Sequence, residues 1–229
     1  MKDSIYTIPV NEVFEPKCGC PICTMRDVLE ERCVEYIMGA AMMEPDVRIE
    51  TNEKGFCKLH FDKMMKRKNR LSLALMLESH LKELQKKGIE QGGSTGGFFK
   101  KKKMEPQKAS CFVCDKIDWA QQRMFDTILK LYAQSEEFRT LYGEQKMLCL
   151  PHYRQLTAYA REGMDKKVLP QFLEVSGKLY QNALDEIQKD VSHYCSMFDY
   201  RNNKEEADWG NSRDSIERAI GFLTSRPVE

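Results

Sequence analysis

Apolar residues recur along this chain at helical rather than strand spacing. Over Thr24 to Met43, Val28, Val34, Ile37, Met38 and Ala41 fall on one side of a helix, the pattern of an element that buries a single face. Trp119, Phe125, Ile128, Leu129 and Tyr132 do the same over Asp115 to Ser135. Further helices are predicted around Lys58 to Lys87 and Pro151 to Glu162. Pro151 suits such an opening, because its fixed φ fits a first turn and it needs no N–H there. A long helix, about Lys167 to Phe198, carries Phe172, Leu179, Leu184, Ile187 and Val191 on one side. A last one is predicted near Ser212 to Thr224, capped by Ser212 with Ser215 as the weaker candidate. Few runs alternate as strands require, so the fold class is all-α.

The pattern also repeats. Cys20-Pro21-Ile22-Cys23 is followed, after 33 residues, by Cys57-Lys58-Leu59-His60; Cys111-Phe112-Val113-Cys114 is followed, after 34, by Cys149-Leu150-Pro151-His152. An offset of 91 superposes Asp27 on Asp118, Arg32 on Arg123, Ile37 on Ile128, Arg48 on Arg139 and Glu53 on Glu144. One inserted residue later, Phe61 meets Tyr153 and Met64 meets Leu156. So many matches in one register point to duplication of a unit of about 65–80 residues, the size of a small domain. Each copy has a less regular stretch between its two ligand pairs, with Pro45 in one and Gly143 in the other.

The expected organisation follows. Residues 1–87 form a first zinc-binding helical repeat and 88–110 a flexible Gly/Ser/Lys linker, from its Gly92–Gly97 run and Lys100–Lys103. Residues 111–200 form the second repeat with the long helix, and 201–229 a loop and closing helix. The two repeats are expected to pack through their apolar faces.

Charge narrows the function classes. Lys+Arg number 36 against Asp+Glu 35, so any preference for nucleic acid or acidic membrane must be local. The opening MKDSIYTIPVNEVFE lacks the basic start and apolar core of a signal peptide, and the run 71–77 is too short to cross a bilayer. A cytoplasmic location is expected. Nine cysteines in a reducing compartment then point to metal or redox chemistry, and an odd number argues against complete disulfide pairing.

Zinc needs four ligands at tetrahedral corners, and two short-spaced pairs supply them with little ordering inside each pair. Cys-x2-His at a helix start puts its two ligands at i and i+3 on one face, where the positive helix end favours thiolates. Two zinc ions per chain are therefore expected, on Cys20, Cys23, Cys57, His60, Cys111, Cys114, Cys149 and His152. Closing the shorter loop costs less entropy, which assigns Cys20, Cys23, Cys57 and His60 to one ion and Cys111, Cys114, Cys149 and His152 to the other. Three other readings compete. Buried reduced cysteines would not arrive as duplicated pairs. A redox Cys-x-x-Cys lacks its βαβ surroundings. An iron–sulfur cluster is favoured by Cys18-Gly19-Cys20, but the second repeat has no partner for Cys18. Cys18, Cys33 and Cys195 read as non-ligands, the latter two packed in helices, and His80 and His193 as ordinary helix residues.

Two further groups stand out. Lys63, Lys66, Arg67, Lys68 and Arg70 form a basic face that could neutralise phosphates, or simply a solvated helix side. Tyr200 and Trp209 would staple the last helix to the core, with Arg–Asp pairs among Asp199, Arg201, Arg213, Asp214 and Arg218 at the rim. No Ser/His/Asp triad, phosphate loop or paired carboxylates suggest catalysis.

Cys18-Gly19-Cys20-Pro21-Ile22-Cys23, Met43-Glu44-Pro45-Asp46-Val47-Arg48, the stretch Thr51 to His60 and the late Phe198-Asp199-Tyr200-Arg201 resemble an uncharacterised bacterial family of unknown function, over nearly the whole chain. The resemblance implies no activity. Some members carry a transporter substrate-binding label, but this sequence lacks the βα alternation of two binding lobes. The expected function is a non-catalytic zinc-binding scaffold or adaptor for another macromolecule, a protein more than a nucleic acid, and without membrane contact. A nucleic-acid-binding regulator using Lys63–Arg70 is the alternative, and a thiol-based redox or zinc sensor a third.

Overall fold

The computed structural model describes residues 6–92, 110–198 and 208–226, and every regular element among them is a helix. In chain order these are α1 (Thr7–Phe14), α2 (Pro21–Met38), α3 (Pro45–Lys54), α4 (Lys58–Lys66), α5 (Arg70–Gly92), α6 (Phe112–Gln134), α7 (Glu136–Gly143), α8 (Leu150–Gly163), α9 (Leu169–Ser196) and α10 (Ser215–Thr224). Single 3-10 turns occupy Ala40–Met43 and Gly210–Ser212. No described helix is long and apolar enough to cross a membrane.

Two compact units emerge, and their borders fall inside helices. A terminal unit takes both chain ends, Met1–Asp27 and Gln121–Glu229, and a middle unit takes Val28–Ala120. The borders therefore lie within α2 and α6, whereas the repeat register divides the chain at the linker. Of that linker, Gly88 to Gly92 continue α5 and 93–109 lie outside the described residues, as does the segment around Tyr200.

Apolar periodicity explains both cores. In the middle unit Val34, Ile37 and Met38 of α2 pack with Met64, Leu73, Met76, Phe112 and Ile117. The terminal unit is aromatic at its centre. Phe14, Tyr132, Phe138, Tyr142 and Phe172 bring ring centroids to 4.9–5.8 Å, the range in which tilted and edge-on rings attract. Tyr142 Oη lies 2.7 Å from Ser176 Oγ. Because Ser176 donates to the Phe172 carbonyl, the tyrosine is the donor of that pair. Not every apolar residue is used, however. Val28 and Trp119 remain 37% and 55% exposed, although the periodicity expected both to be buried.

Several boundaries differ from expectation for local reasons. The stretch expected to be irregular holds α3 in one half and α7 in the other. Ser135 opens α7 by accepting a hydrogen bond from Phe138 N at 3.1 Å, with Glu136 and Glu137 in the favourable first turn. The single helix expected from Lys58 to Lys87 is two, because Asn69 Oδ1 accepts from Ser72 N and starts α5 afresh. Neither Ser212 nor Ser215 caps α10. Ser212 turns back to donate to Trp209 O, and Asp214 holds the cap position without accepting from the helix's own N–H groups. The C-terminal staple is present in Trp209, which packs on Tyr194 and Phe198. Arg218 reaches Asp190 and Asp214 at 2.8 and 2.9 Å.

Candidate metal centres

Each ligand pair sits at a helix start. Cys20 immediately precedes α2 and Cys111 immediately precedes α6, while Cys57 and Cys149 are the N-cap residues of α4 and α8. Neither α4 nor α8 closes its first turn with a side-chain cap. The partial positive charge of the unpaired N–H groups faces sulfur instead. Glycines shape the approach: Gly55, at φ +63°, ends α3 two residues before Cys57, and its carbonyl accepts from Phe112 N at 3.0 Å. One backbone bond thus ties the entry of one pair to that of another.

All eight expected ligands gather into two sets of four, with ligand atoms within 4.8 Å of one another. The terminal unit holds Cys20, Cys23, Cys149 and His152; the middle unit holds Cys57, His60, Cys111 and Cys114. The expected pairing within each repeat is overturned: each set joins the Cys-x2-Cys of one half to the Cys-x2-His of the other. In each half a long rigid helix follows the first pair: α2 runs about 22 Å from Cys23 to Met38, and α6 about 30 Å from Cys114 to Gln134. The stretch between the pairs is therefore not the flexible loop that an entropy argument assumes. Closing the longer loop from Cys23 to Cys149 would in any case cost only about 1 kcal/mol more, too little for loop length to fix the pairing.

The spacing within each set suits a tetrahedral ion. In the terminal set His152 Nδ1 lies 3.1, 3.3 and 3.8 Å from Cys149, Cys23 and Cys20, and Cys23 lies 3.6 Å from Cys149. In the middle set His60 Nδ1 lies 3.1, 3.2 and 3.6 Å from Cys57, Cys111 and Cys114, and Cys57 lies 4.0 Å from Cys114. Tetrahedral zinc, with its bond lengths to sulfur and imidazole, sets ligand–ligand gaps of about 3.5–3.8 Å. Both sets are largely buried, with Cys23, Cys57 and Cys114 partly accessible.

The charges of the thiols conflict until a cation joins them. Burial works to raise Cys111, but hydrogen bonding with His60 and with backbone N–H groups brings it down to about 6. Burial and the charge on Cys111 then push Cys114 up. In the terminal set burial opposes ionisation of Cys20, yet its hydrogen bonds with Cys149, Cys23 and His152 hold it well below an ordinary thiol. The hydrogen bond with Cys20 pushes Cys149 up to about 12. One thiolate forms readily in each set and resists the next, and a divalent cation among them removes the resistance.

A residue beyond the expected set backs the middle cluster. Glu30, 1% exposed, places Oε1 2.8 Å from His60 Nε2 and also pairs with Lys63. The imidazole therefore donates Nε2–H to the carboxylate and turns Nδ1 toward the sulfurs. Burial works to raise Glu30, and the bonds from His60 and Lys63 outweigh it and hold it at about 2. Its sequence signal is a charged residue in the buried register of α2, one turn before Val34. Lys63, read from sequence as part of a basic face, faces this carboxylate, and Arg67 of the same face pairs with Glu31.

The remaining candidates stay outside the clusters. His80 Nδ1 lies 2.8 Å from Asn52 O, and His193 Nε2 lies 3.0 Å from Asp208 O. Cys33 packs against the middle core. Cys195 is exposed rather than packed, and Cys18 is exposed as well. An open cleft of about 640 Å³ in the terminal unit is lined by Cys18, Cys20, Cys23 and Cys149 together with apolar residues such as Ile187 and Phe222.

A family of unknown function, DUF6062, matches residues 1–229. The chain belongs to that family. No curated protein and no solved structure matches it. In this DUF6062 protein the functional reading therefore rests on the clusters themselves.

Proposed function

We propose that this DUF6062 protein is a non-catalytic, cytoplasmic scaffold that binds two structural zinc ions and presents helical surface to a protein partner. The observation that carries the reading is the closed character of both ligand sets. Three thiolates and one imidazole suit zinc among the divalent metals, and four protein ligands leave no position for a reacting water. Support for a protein partner comes from α10, where Ile216, Ile220 and Leu223 follow one another along one side while 42%, 40% and 54% exposed. The nucleic-acid alternative is weakened because Lys63 and Arg67 of the basic face are engaged by Glu30 and Glu31.

Elemental analysis of protein purified without added metal should give two zinc ions per chain. Bound iron and sulfide with a visible charge-transfer band would replace this reading with a cluster protein. Salt-sensitive retention on nucleic acid would move the basic face back to the front.

A further inference from the structure

The two ligand sets are alike, but what stands behind them is not. At the offset of 91 that superposes the Cys-x2-Cys pairs, Glu30 falls on Gln121. At the offset of 92 that superposes the Cys-x2-His pairs, Lys63 falls on Gln155. These two counterparts also meet, with Gln121 Nε2 donating to Gln155 Oε1 at 3.1 Å. A buried carboxylate and its lysine in the middle unit thus correspond to two neutral amides in the terminal unit. A carboxylate that accepts the free N–H of a ligating imidazole fixes the ring and strengthens its donor nitrogen, and loss of such a partner costs about 10–100-fold in metal affinity.

A second observation is independent of that substitution. Three of the four terminal ligands, Cys20, Cys23 and Cys149, line the 640 Å³ cleft. That volume lies within the range of about 300–1,000 Å³ typical of small-molecule sites. Partial exposure of thiols does not by itself separate the two centres, since Cys57 and Cys114 are also only half-buried. What separates them is an anchored imidazole on one side and, on the other, a cleft roomy enough for a competing ligand.

We infer that the terminal centre is an exchangeable site for a soft divalent cation, zinc foremost, filled and emptied through this cleft, while the middle centre keeps its ion. The inference rests on the zinc reading above. Exchange transfers no electrons: as each metal–sulfur bond breaks, a bond to the incoming chelator forms, and the freed thiolate takes a proton from solvent. Both ions then support the fold, and the terminal one in addition exchanges with available zinc.

The test uses the full chain carrying two zinc ions, with 4-(2-pyridylazo)resorcinol as chelator. Ion loss is followed by native mass spectrometry, and a brief iodoacetamide pulse marks the liberated thiols. A one-zinc species should accumulate, labelled at Cys20, Cys23 and Cys149 and protected at Cys57, Cys111 and Cys114. Glu30→Gln should then speed the slow phase about 10–100-fold. If that variant does not fold, the reciprocal Gln121→Glu, Gln155→Lys protein should slow the fast phase instead. Two ions leaving together, first labelling of the Cys57 set, or phases unmoved by these substitutions would overturn the inference while leaving two zinc centres standing. Protein that binds no zinc on titration would remove both readings at once.

Discussion

Cys23 and Cys149 stand 126 positions apart and bring their sulfurs to 3.6 Å. A contact of that span means that loss of one ligand is felt far away in the sequence. Cys149→Ser should raise amide exchange around residues 20–27, at the start of α2, and leave residues 111–120 protected. Cys57→Ser should do the reverse, exposing the start of α6. Zinc in such sites contributes on the order of 10 kcal/mol of apparent folding free energy, so either variant should lose several kcal/mol, as should wild type with chelator. Exchange that rises only within the mutated repeat would contradict the cross-paired ligands.

Gly55→Ala should destabilise the middle unit by about 1–2 kcal/mol. Its φ of +63° places a side chain in the region that L-residues avoid, and a Cβ there would stand 3.2 Å from His80 Nε2. Denaturant unfolding gives the loss. His80→Ala in the same chain should recover the steric share and not the backbone share, because the imidazole is the nearest obstacle.

Tyr142→Phe should cost about 1 kcal/mol, the net worth of one hydrogen bond, since Ser176 keeps its own acceptor at Phe172 O. Tyr142→Ala removes a fully buried ring from the aromatic centre and should cost about 3–5 kcal/mol. Equal losses in the two variants would mean that the hydroxyl, not the ring, carries the contribution.

Arg218→Ala should loosen α10 by removing the bonds to Asp190 and Asp214, at about 1–3 kcal/mol for hydrogen bonds to charged groups. Arg218 and Phe222 line the cleft beside the terminal ligands. Chelator should therefore strip the terminal ion faster in this variant, with the middle ion unaffected. Equal acceleration at both centres would instead indicate general destabilisation.

The ligands were legible in the sequence because spacing alone brings each pair together: Cys20 with Cys23 in one turn, Cys57 with His60 across one. Which pair meets which was not legible, since it depends on the helices that intervene between the pairs, and α3 announces itself weakly. Its segment, Pro45 to Lys54, buries only Thr51, so no apolar stripe reveals it. The sequences at α7 and α5 did carry signals, Ser135 before Glu136-Glu137 and Asn69 before the 71–77 run, that cap rules read directly. Trp119 shows the opposite error, a large apolar side chain that fits the stripe and still faces solvent. Glu30 lay beyond a motif search, because a carboxylate that backs an imidazole has no fixed spacing from it.

Exchange of ligand pairs between the two halves has a consequence for any chain cut between Gly92 and Ser110. Each fragment would carry four ligands, two for one ion and two for the other, and could complete neither alone. Mixed together, the fragments would supply both centres, so zinc would act as the glue of a split protein and chelator as its solvent. A half on its own would find its missing ligands in a second copy of itself, forming a homodimer around two ions. Co-purification of separately tagged halves, dependent on zinc, would display this mutual completion directly.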